Sequence, residues 1–184
     1  MAICVRIRKE SLQRPILTPD ASTLISAHHP AIFEPEAFFT GTLACSGMFI
    51  DRFGHVRRRF VADIRCEPQD NGFSLYEHFL FDDGEAEDRV WHIKRQTDAL
   101  YHGECADLDG RAVGVLEGPA LRWRYQFNLD IGSRKIKVSF DDLMVQQSAT
   151  VVLNRAKVRK FGILLGELFI TFQRTPPLTA QAAE

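Results

Sequence analysis

Two glutamates lie among apolar residues in segments that alternate like β-strands. Glu77 is at the centre of one such face, whose other members are Phe73, Leu75, Phe79 and Phe81. Glu167 occupies a similar position between Leu165 and Phe169. An ionised carboxylate on a buried face is unfavourable unless a cation pairs with it or its pKa rises. Each glutamate is therefore half of a buried ion pair, an outward-facing residue, or a general acid, general base or polar anchor for a ligand.

Two arginines are candidate partners for these glutamates. Arg58 shares its strand face with Phe60, and Arg155 shares its face with Leu153. An inward guanidinium can neutralise a glutamate, or it can bind a carboxylate ligand through two parallel hydrogen bonds. The sequence leaves open which arginine pairs with which glutamate.

The clearest period-two pattern in the chain runs from 121 to 129. Its odd positions are apolar or aromatic and its even positions are polar. One face of this strand is therefore either a packed core face or the wall of a cavity, with the Tyr125 hydroxyl as a polar contact for a ligand. We predict that six residues line such a binding cavity: Glu77, Phe79, Trp91, Trp123, Tyr125 and Arg155.

No familiar catalytic or cofactor-binding motif occurs in the sequence. It has no GxSxG, no P-loop and no GxGxxG between a strand and a helix. The 6 histidines lack metal-ligand spacing, and the 4 cysteines form no CxxC pair. We therefore predict neither a metal nor a cofactor, and we assign no catalytic residue.

Charge and composition narrow the class of partner. Hydrophobic residues make up 45% of the chain, charged residues 26%, and the formal net charge is -1. These values are ordinary for a globular domain with a real core. The net charge gives no electrostatic reason to expect binding to nucleic acid. The partner that we expect is a small apolar ligand.

The N-terminal segment, MAICVRIRKESLQRP, is interrupted by charges soon after it begins. A signal peptide needs an apolar stretch of roughly 7–15 residues, and a membrane-spanning helix needs roughly 20. Neither occurs, so we predict a cytoplasmic protein with reduced thiols and no integral membrane segment. The cysteines are expected to be unpaired: Cys4, Cys45, Cys66 and Cys105.

From 36 to 174 the chain consists of short alternating runs separated by turn residues, which is typical of an all-β domain. About ten strands are predicted, at 39–50, 55–66, 73–81, 89–95, 101–106, 112–117, 120–129, 135–140, 150–158 and 163–174. The Asn71–Gly72 pair is a strong hairpin signal. Connections this short favour an antiparallel up-and-down barrel, whereas an immunoglobulin-like sandwich needs longer Greek-key connections.

The two ends of the chain are predicted to lie outside the barrel. Four prolines punctuate an irregular N-terminal extension at 1–35, in which a short helix at 20–27 is possible. A flexible tail is expected at 175–184 because two prolines are followed by small polar residues.

Several short segments occur together in a characteristic order: FFTGTL at 38–43, DDGE at 82–85, RVW at 89–91, LRWRY at 121–125, VSFDDLM at 138–144, LNRA at 153–156 and KFGI at 160–163. In these the chain resembles the bacterial lipocalin-like family catalogued as domain of unknown function 3833. The resemblance covers 38–173 and implies a lipocalin-like barrel without an established activity. Because family members accompany lipid-modifying genes, it also implies a fatty-acyl or isoprenoid-like ligand. Many members look like lipoproteins, but this chain has no lipobox around Cys4.

Three functions fit the sequence. The leading hypothesis is a barrel that binds a small, mostly apolar molecule, because the aromatic faces and the small residues between Gly41 and Gly47 leave interior space. The second is a cofactor-free isomerase, cyclase or hydratase that uses acid/base chemistry in the same cavity. The third is a structural or partner-binding domain whose barrel is filled.

Overall fold

The computed structural model describes residues 32–131 and 134–174. Within them, a short helix and ten strands have these bounds: α1 Pro35–Phe39, β1 Gly41–Asp51, β2 Val56–Gln69, β3 Gly72–Phe81, β4 Ala86–Arg95, β5 Leu100–Glu104, β6 Ala112–Glu117, β7 Ala120–Ile131, β8 Arg134–Gln146, β9 Val151–Lys160 and β10 Ile163–Arg174. Each strand pairs antiparallel with the next, and β1 also pairs with β10. The sheet is therefore a closed up-and-down barrel, which confirms the predicted all-β fold class.

The predicted strands agree closely with the observed ones. The hairpin at Asn71–Gly72 is present, since Gln69 pairs with Gly72 and Gly72 has a φ of 136°. The largest difference is at β8, which continues to Gln146 instead of ending at Phe140. The helix predicted at 20–27, most of the extension at 1–35 and the tail at 175–184 lie outside the described residues.

Side chains alternate between the barrel interior and the outer surface, as the period-two patterns predict. The two faces predicted to be apolar both point inward, and they consist of Phe73, Leu75, Glu77, Phe79, Phe81, Leu121, Trp123, Tyr125, Phe127 and Leu129. The polar residues between them on β7, such as Arg124 and Gln126, are exposed. The core of the domain is thus the inside of the barrel.

Helix α1 closes one end of the barrel. The proline at its first position suits a helix start, because its fixed φ is helical and its missing N–H is not needed there. The Phe39 ring stacks on Phe73 at 5.8 Å and meets Phe172 edge-on at 5.7 Å. The Tyr101 hydroxyl donates to the Glu36 carboxylate at 2.9 Å. Aromatic packing and this partly buried hydrogen bond hold the helix across the opening.

The wall between β4 and β7 is less continuous than the rest of the sheet. Strand β4 pairs with β5 only over His92–Arg95. Beyond that point the segment 105–111 lies along β7, where Leu108 bridges Phe127 and the Asn128 N–H donates to the Asp107 carbonyl at 2.9 Å. Within the described chain, this part of the wall is closed by side chains and a loop rather than by a strand ladder.

Two glycines make room for the Trp123 side chain in the interior. Gly114 on β6 lies opposite Trp123 on β7, and Gly103 on β5 lies beside it. A Cβ atom added to either glycine would collide with the indole ring. The ring therefore lies against the bare backbone of β5 and β6 and occupies less of the barrel centre.

Candidate functional site

The barrel encloses a cavity of about 110 Å³. Most of its walls are aromatic or aliphatic, and α1 contributes Pro35 and Phe39. Its polar and charged lining residues are Glu77, Arg89, Tyr101, Tyr125, Asp142 and Asn154. An apolar cavity with a few convergent polar groups is the usual form of a small-molecule site.

Five of the six predicted cavity residues do line this cavity: Glu77, Phe79, Trp91, Trp123 and Tyr125. The prediction for Arg155 is wrong. Arg155 lies on the outer surface, where its guanidinium donates to Glu167 at 2.5 Å and is about half exposed. An exposed pair of this kind contributes about 1 kcal/mol or less to stability.

Strand geometry explains why both members of that pair face outward. A bulge between Leu164 and Gly166 reverses the alternation of β10, so Leu165 packs inside while Glu167 points out. On β9 the inward face carries Val152 and Asn154, and Arg155 belongs to the other face. Both faces of β9 begin with a valine, so alternation alone does not identify the buried one.

Arg58 is also not a partner of Glu77. It lies at the rim opposite α1, where its guanidinium pairs with Asp83 at 2.9 Å and with Glu85. The same group stacks 3.6 Å from the centre of the Phe81 ring. The arginine that enters the cavity is Arg89, which we had not predicted.

Glu77 and Arg89 face each other across the β3–β4 pair. Arg89 is hydrogen-bonded to Glu87, and its guanidinium lies 4.8 Å from the centre of the Phe127 ring. Burial raises the pKa of Glu77 to about 7, even though the positive charge of Arg89 acts in the opposite direction. Glu77 therefore exchanges its proton near neutral pH, which a general acid or base requires.

Asp142 is a second buried carboxylate, opposite Trp123 in the β7–β8 register. It is 6% exposed. Its Oδ2 accepts hydrogen bonds from the Tyr125 hydroxyl at 3.4 Å and from Asn154 Nδ2 at 3.3 Å. Burial raises the pKa of Asp142 to about 7 despite these two donors. Asp142 Oδ1 and Asn154 Oδ1 are buried and have no hydrogen-bond partner among the described residues.

Sequence reasoning missed Asp142 because the predicted strand ended at Phe140. Aspartate is depleted in strands, so two consecutive aspartates indicate a turn more often than a sheet. The structure separates their roles: Asp141 faces outward and accepts from Arg122 at 3.0 Å and Arg124 at 3.3 Å. The signal that could have revealed Asp142 is the apolar run that follows it at 143–145.

The described cysteines are thiols, and one of them lines the cavity. Cys45, Cys66 and Cys105 are free thiols, and Cys4 lies outside the described residues. Burial, with a contribution from Glu77, raises the pKa of Cys45 to about 12, so this cavity residue stays a thiol at neutral pH. In the described part of the chain, no three His, Cys, Asp or Glu side chains are grouped as metal ligands.

The closed up-and-down barrel and its interior cavity define a lipocalin-like domain. The family described as "Protein of unknown function (DUF3833)" matches residues 22–174, and the chain belongs to this family. No curated protein matches the sequence. The described part of the chain contains no helix of the length and apolar character needed to cross a membrane.

Solved structures share the barrel. A protein of unknown function from the DUF3598 family of Nostoc punctiforme aligns with a TM-score of 0.56 and 12% identity, over 81% of this chain and 51% of that one. The chain thus spans about half the length of that protein. A redesigned β-barrel, mFAP1, bound to DFHBI aligns with a TM-score of 0.43 and 13% identity, over 77% of this chain and 100% of that one. At these identities the likeness concerns the fold alone.

Proposed function

We propose that this protein binds a small, mostly apolar molecule inside its barrel. The cavity at the centre of the domain carries the proposal. Its walls are dominated by aromatic rings, and three of its lining residues, Arg89, Asp142 and Asn154, have a buried polar atom without a hydrogen-bond partner in the described chain. Burying a polar atom without a hydrogen-bond partner costs free energy, and a barrel with a purely structural role gains nothing in return. A ligand that supplies the missing hydrogen bonds relieves that cost.

The size of the cavity favours a compact ligand. A volume of about 110 Å³ is closer to the ~150 Å³ apolar cavity that holds benzene than to the ~300–1,000 Å³ pockets of drug-sized ligands. A single ring or a short branched chain matches this space. A long fatty-acyl or isoprenoid-like ligand, which the family resemblance implies, requires the cavity to extend.

The discontinuous wall between β4 and β7 is the access route that we propose. There Arg89, Cys105 and Leu108 separate the interior from the outside without a strand ladder in the described chain. Moving side chains and a loop breaks fewer backbone hydrogen bonds than separating two paired strands. The same movement would lengthen the cavity toward the rim.

Acid/base catalysis without a cofactor is a second candidate function. Two carboxyl groups of one cavity, Glu77 and Asp142, both have a pKa raised to about 7 by burial. Groups that titrate near neutral pH transfer protons efficiently, as an isomerase or hydratase requires. Recovery of a bound ligand in chemically altered form would favour this candidate over simple binding.

Intrinsic fluorescence gives a direct test of binding, because the chain has 2 tryptophans and both line the cavity. We expect toluene to change the tryptophan emission in a saturable way, with a Kd of about 1 mM or tighter. Cys45→Leu places a larger side chain in the cavity and should abolish the response. Val61→Leu adds bulk on the exposed face of β2 and is the matched control.

A fluorescent fatty-acid analogue, titrated in parallel, tests the longer ligand that the family resemblance implies. Its binding at micromolar concentrations, weakened in Glu77→Gln, would support an extended cavity. If neither the analogue nor any of the single-ring ligands tested here and below binds, the proposed function is wrong, and a structural or partner-binding domain with a filled barrel takes its place.

A further inference from the structure

When Asp142 is ionised, the interior of the barrel carries a negative charge that no cation of the described chain balances. Three side chains of the cavity lining bear formal charges, namely Glu77, Arg89 and Asp142. Arg89 is hydrogen-bonded to Glu87 and faces Glu77 across the sheet, so its charge is compensated. Asp142 is hydrogen-bonded only to neutral groups in the described chain. A buried carboxylate of this kind is normally paired with a cation.

One oxygen of this carboxylate and one oxygen of the neighbouring Asn154 side chain have no hydrogen-bond partner in the described chain. Asp142 lies opposite Ala156 on β9 and lines the cavity. Asn154, two residues earlier on β9, lines the same cavity, and its Oδ1 lacks a donor just as Asp142 Oδ1 does. When Asp142 is ionised, both atoms are hydrogen-bond acceptors and cannot satisfy each other. The site therefore lacks a group that donates two hydrogen bonds.

Aromatic rings complete the surroundings of Asp142. Trp123 is its neighbour across the β7–β8 pair, and Trp91 meets the Trp123 ring edge-on at 6.4 Å. Tyr125 donates to Asp142 and packs against Trp91 at 5.3 Å. Aromatic faces attract cations in addition to providing apolar contact. Charge, acceptor atoms and rings thus favour the same kind of ligand.

We propose that the cavity binds a compact organic amine as its ammonium ion. The ammonium N–H groups donate to Asp142 Oδ1 and Asn154 Oδ1, and the apolar body lies against Trp91 and Trp123. This inference rests on the proposed interior binding and adds the chemical class of the ligand. A neutral alcohol would satisfy one acceptor and leave the charge unbalanced, whereas a carboxylate would add a second negative charge.

Four ligands that share one ring test the inference: benzylamine, benzyl alcohol, toluene and benzoate. Affinities are measured by tryptophan fluorescence and calorimetry at mildly alkaline pH, where Asp142 is ionised and the amine is still protonated. We expect benzylamine to bind at least about tenfold more tightly than benzyl alcohol or toluene, because hydrogen bonds to a charged acceptor are strong. Benzoate should bind most weakly.

Neighbouring aspartates provide a matched pair of variants. Asp142→Asn keeps the shape and removes the charge, and should weaken benzylamine about tenfold while changing toluene by less than about twofold. Asp141→Asn removes an outward carboxylate from the adjacent position and should change neither affinity. Asn154→Val removes one acceptor and should also weaken benzylamine selectively. Circular dichroism and cooperative unfolding establish that each variant is folded.

The outcomes separate this inference from the proposed function. If toluene or benzoate binds as tightly as benzylamine, or if Asp142→Asn leaves the preference for the amine intact, the amine inference is overturned and interior binding stands. If none of the four ligands binds the wild-type protein, the amine inference is overturned, and if the fatty-acid analogue also fails to bind, interior binding itself is wrong.

Discussion

Replacing Asp142 by asparagine should stabilise the protein above pH 7. Burial raises the pKa of Asp142 from an ordinary 3.8 to about 7 in the folded protein. The folded state then binds a proton more tightly than the unfolded state, so stability falls as the pH rises through this window, and the loss is complete above the folded pKa. At about 1.4 kcal/mol per unit, the loss is on the order of 4 kcal/mol. Because asparagine does not ionise, the Asp142→Asn variant does not undergo this loss of stability.

Urea unfolding at a series of pH values measures this effect. The wild-type protein should lose stability between about pH 4 and pH 7, since the pKa values of Asp142 and Glu77 are both raised by burial to about 7. Asp142→Asn should remove roughly half of that slope, and the remainder belongs to Glu77. If stability depends on pH equally in Asp142→Asn and in the wild-type protein, the pKa of Asp142 is not raised by folding, and the prediction is wrong.

Asp141→Asn is the control for this series. Burial opposes ionisation of Asp141, but hydrogen bonds from Arg122 and Arg124 outweigh it and lower its pKa. Its stabilising contribution is therefore present at neutral pH and is lost as the pH falls through the folded pKa. Asp141 and its two arginine partners lie largely on the surface. We therefore expect Asp141→Asn to lower the free energy of unfolding by about 1 kcal/mol or less at neutral pH. The dependence of stability on pH above pH 4 should stay as in the wild-type protein.

Truncation of Trp123 should be the most damaging change to the interior. The indole is 7% exposed, lies on the backbone of Gly103 and Gly114, and meets the Trp91 ring. Trp123→Ala removes these contacts and leaves a void that a closed barrel cannot fill by collapse. We expect the free energy of unfolding to fall by about 3–5 kcal/mol, as measured by urea unfolding.

Two comparisons make the Trp123 prediction specific. Val115→Ala truncates a side chain on the outer face of the neighbouring strand, and should change stability by about 0.5 kcal/mol or less. Added indole should restore part of the stability of Trp123→Ala, because a ligand that binds only the folded state stabilises it. A loss below about 1 kcal/mol would mean that Trp123 is not part of the packed interior.

Alternation was sufficient to predict the fold, and it identified five of the residues that line the cavity: Glu77, Phe79, Trp91, Trp123 and Tyr125. On β3 and β7, apolar and polar residues separate cleanly, so the inward positions of Trp123 and Tyr125 followed from the sequence, whereas an outward position remained an alternative for Glu77. The inward position of Arg89 could have been predicted from the same alternation. It lies two residues from Trp91, so an inward Trp91 places Arg89 on the inward face as well.

Other features of the site depend on geometry that a single sequence does not display. The bulge before Gly166 turned Glu167 outward, and although a glycine inside a strand often accompanies a bulge, it does not specify one. Arg155 was misplaced because β9 has apolar residues on both faces. The space expected beside Gly47 is occupied by the Phe60 ring from β2, whereas Cys45 does line the cavity. Such outcomes depend on contacts between strands, which hydrophobic pattern alone does not specify.

A crystal structure of the protein with toluene bound tests the central claim most directly. Our account predicts one ring inside the barrel, in contact with Trp91, Trp123 and Tyr125 and enclosed by α1. It also predicts that the ring is absent in Cys45→Leu under the same conditions. A barrel interior filled by its own side chains, or toluene bound only on the outer surface, would contradict it.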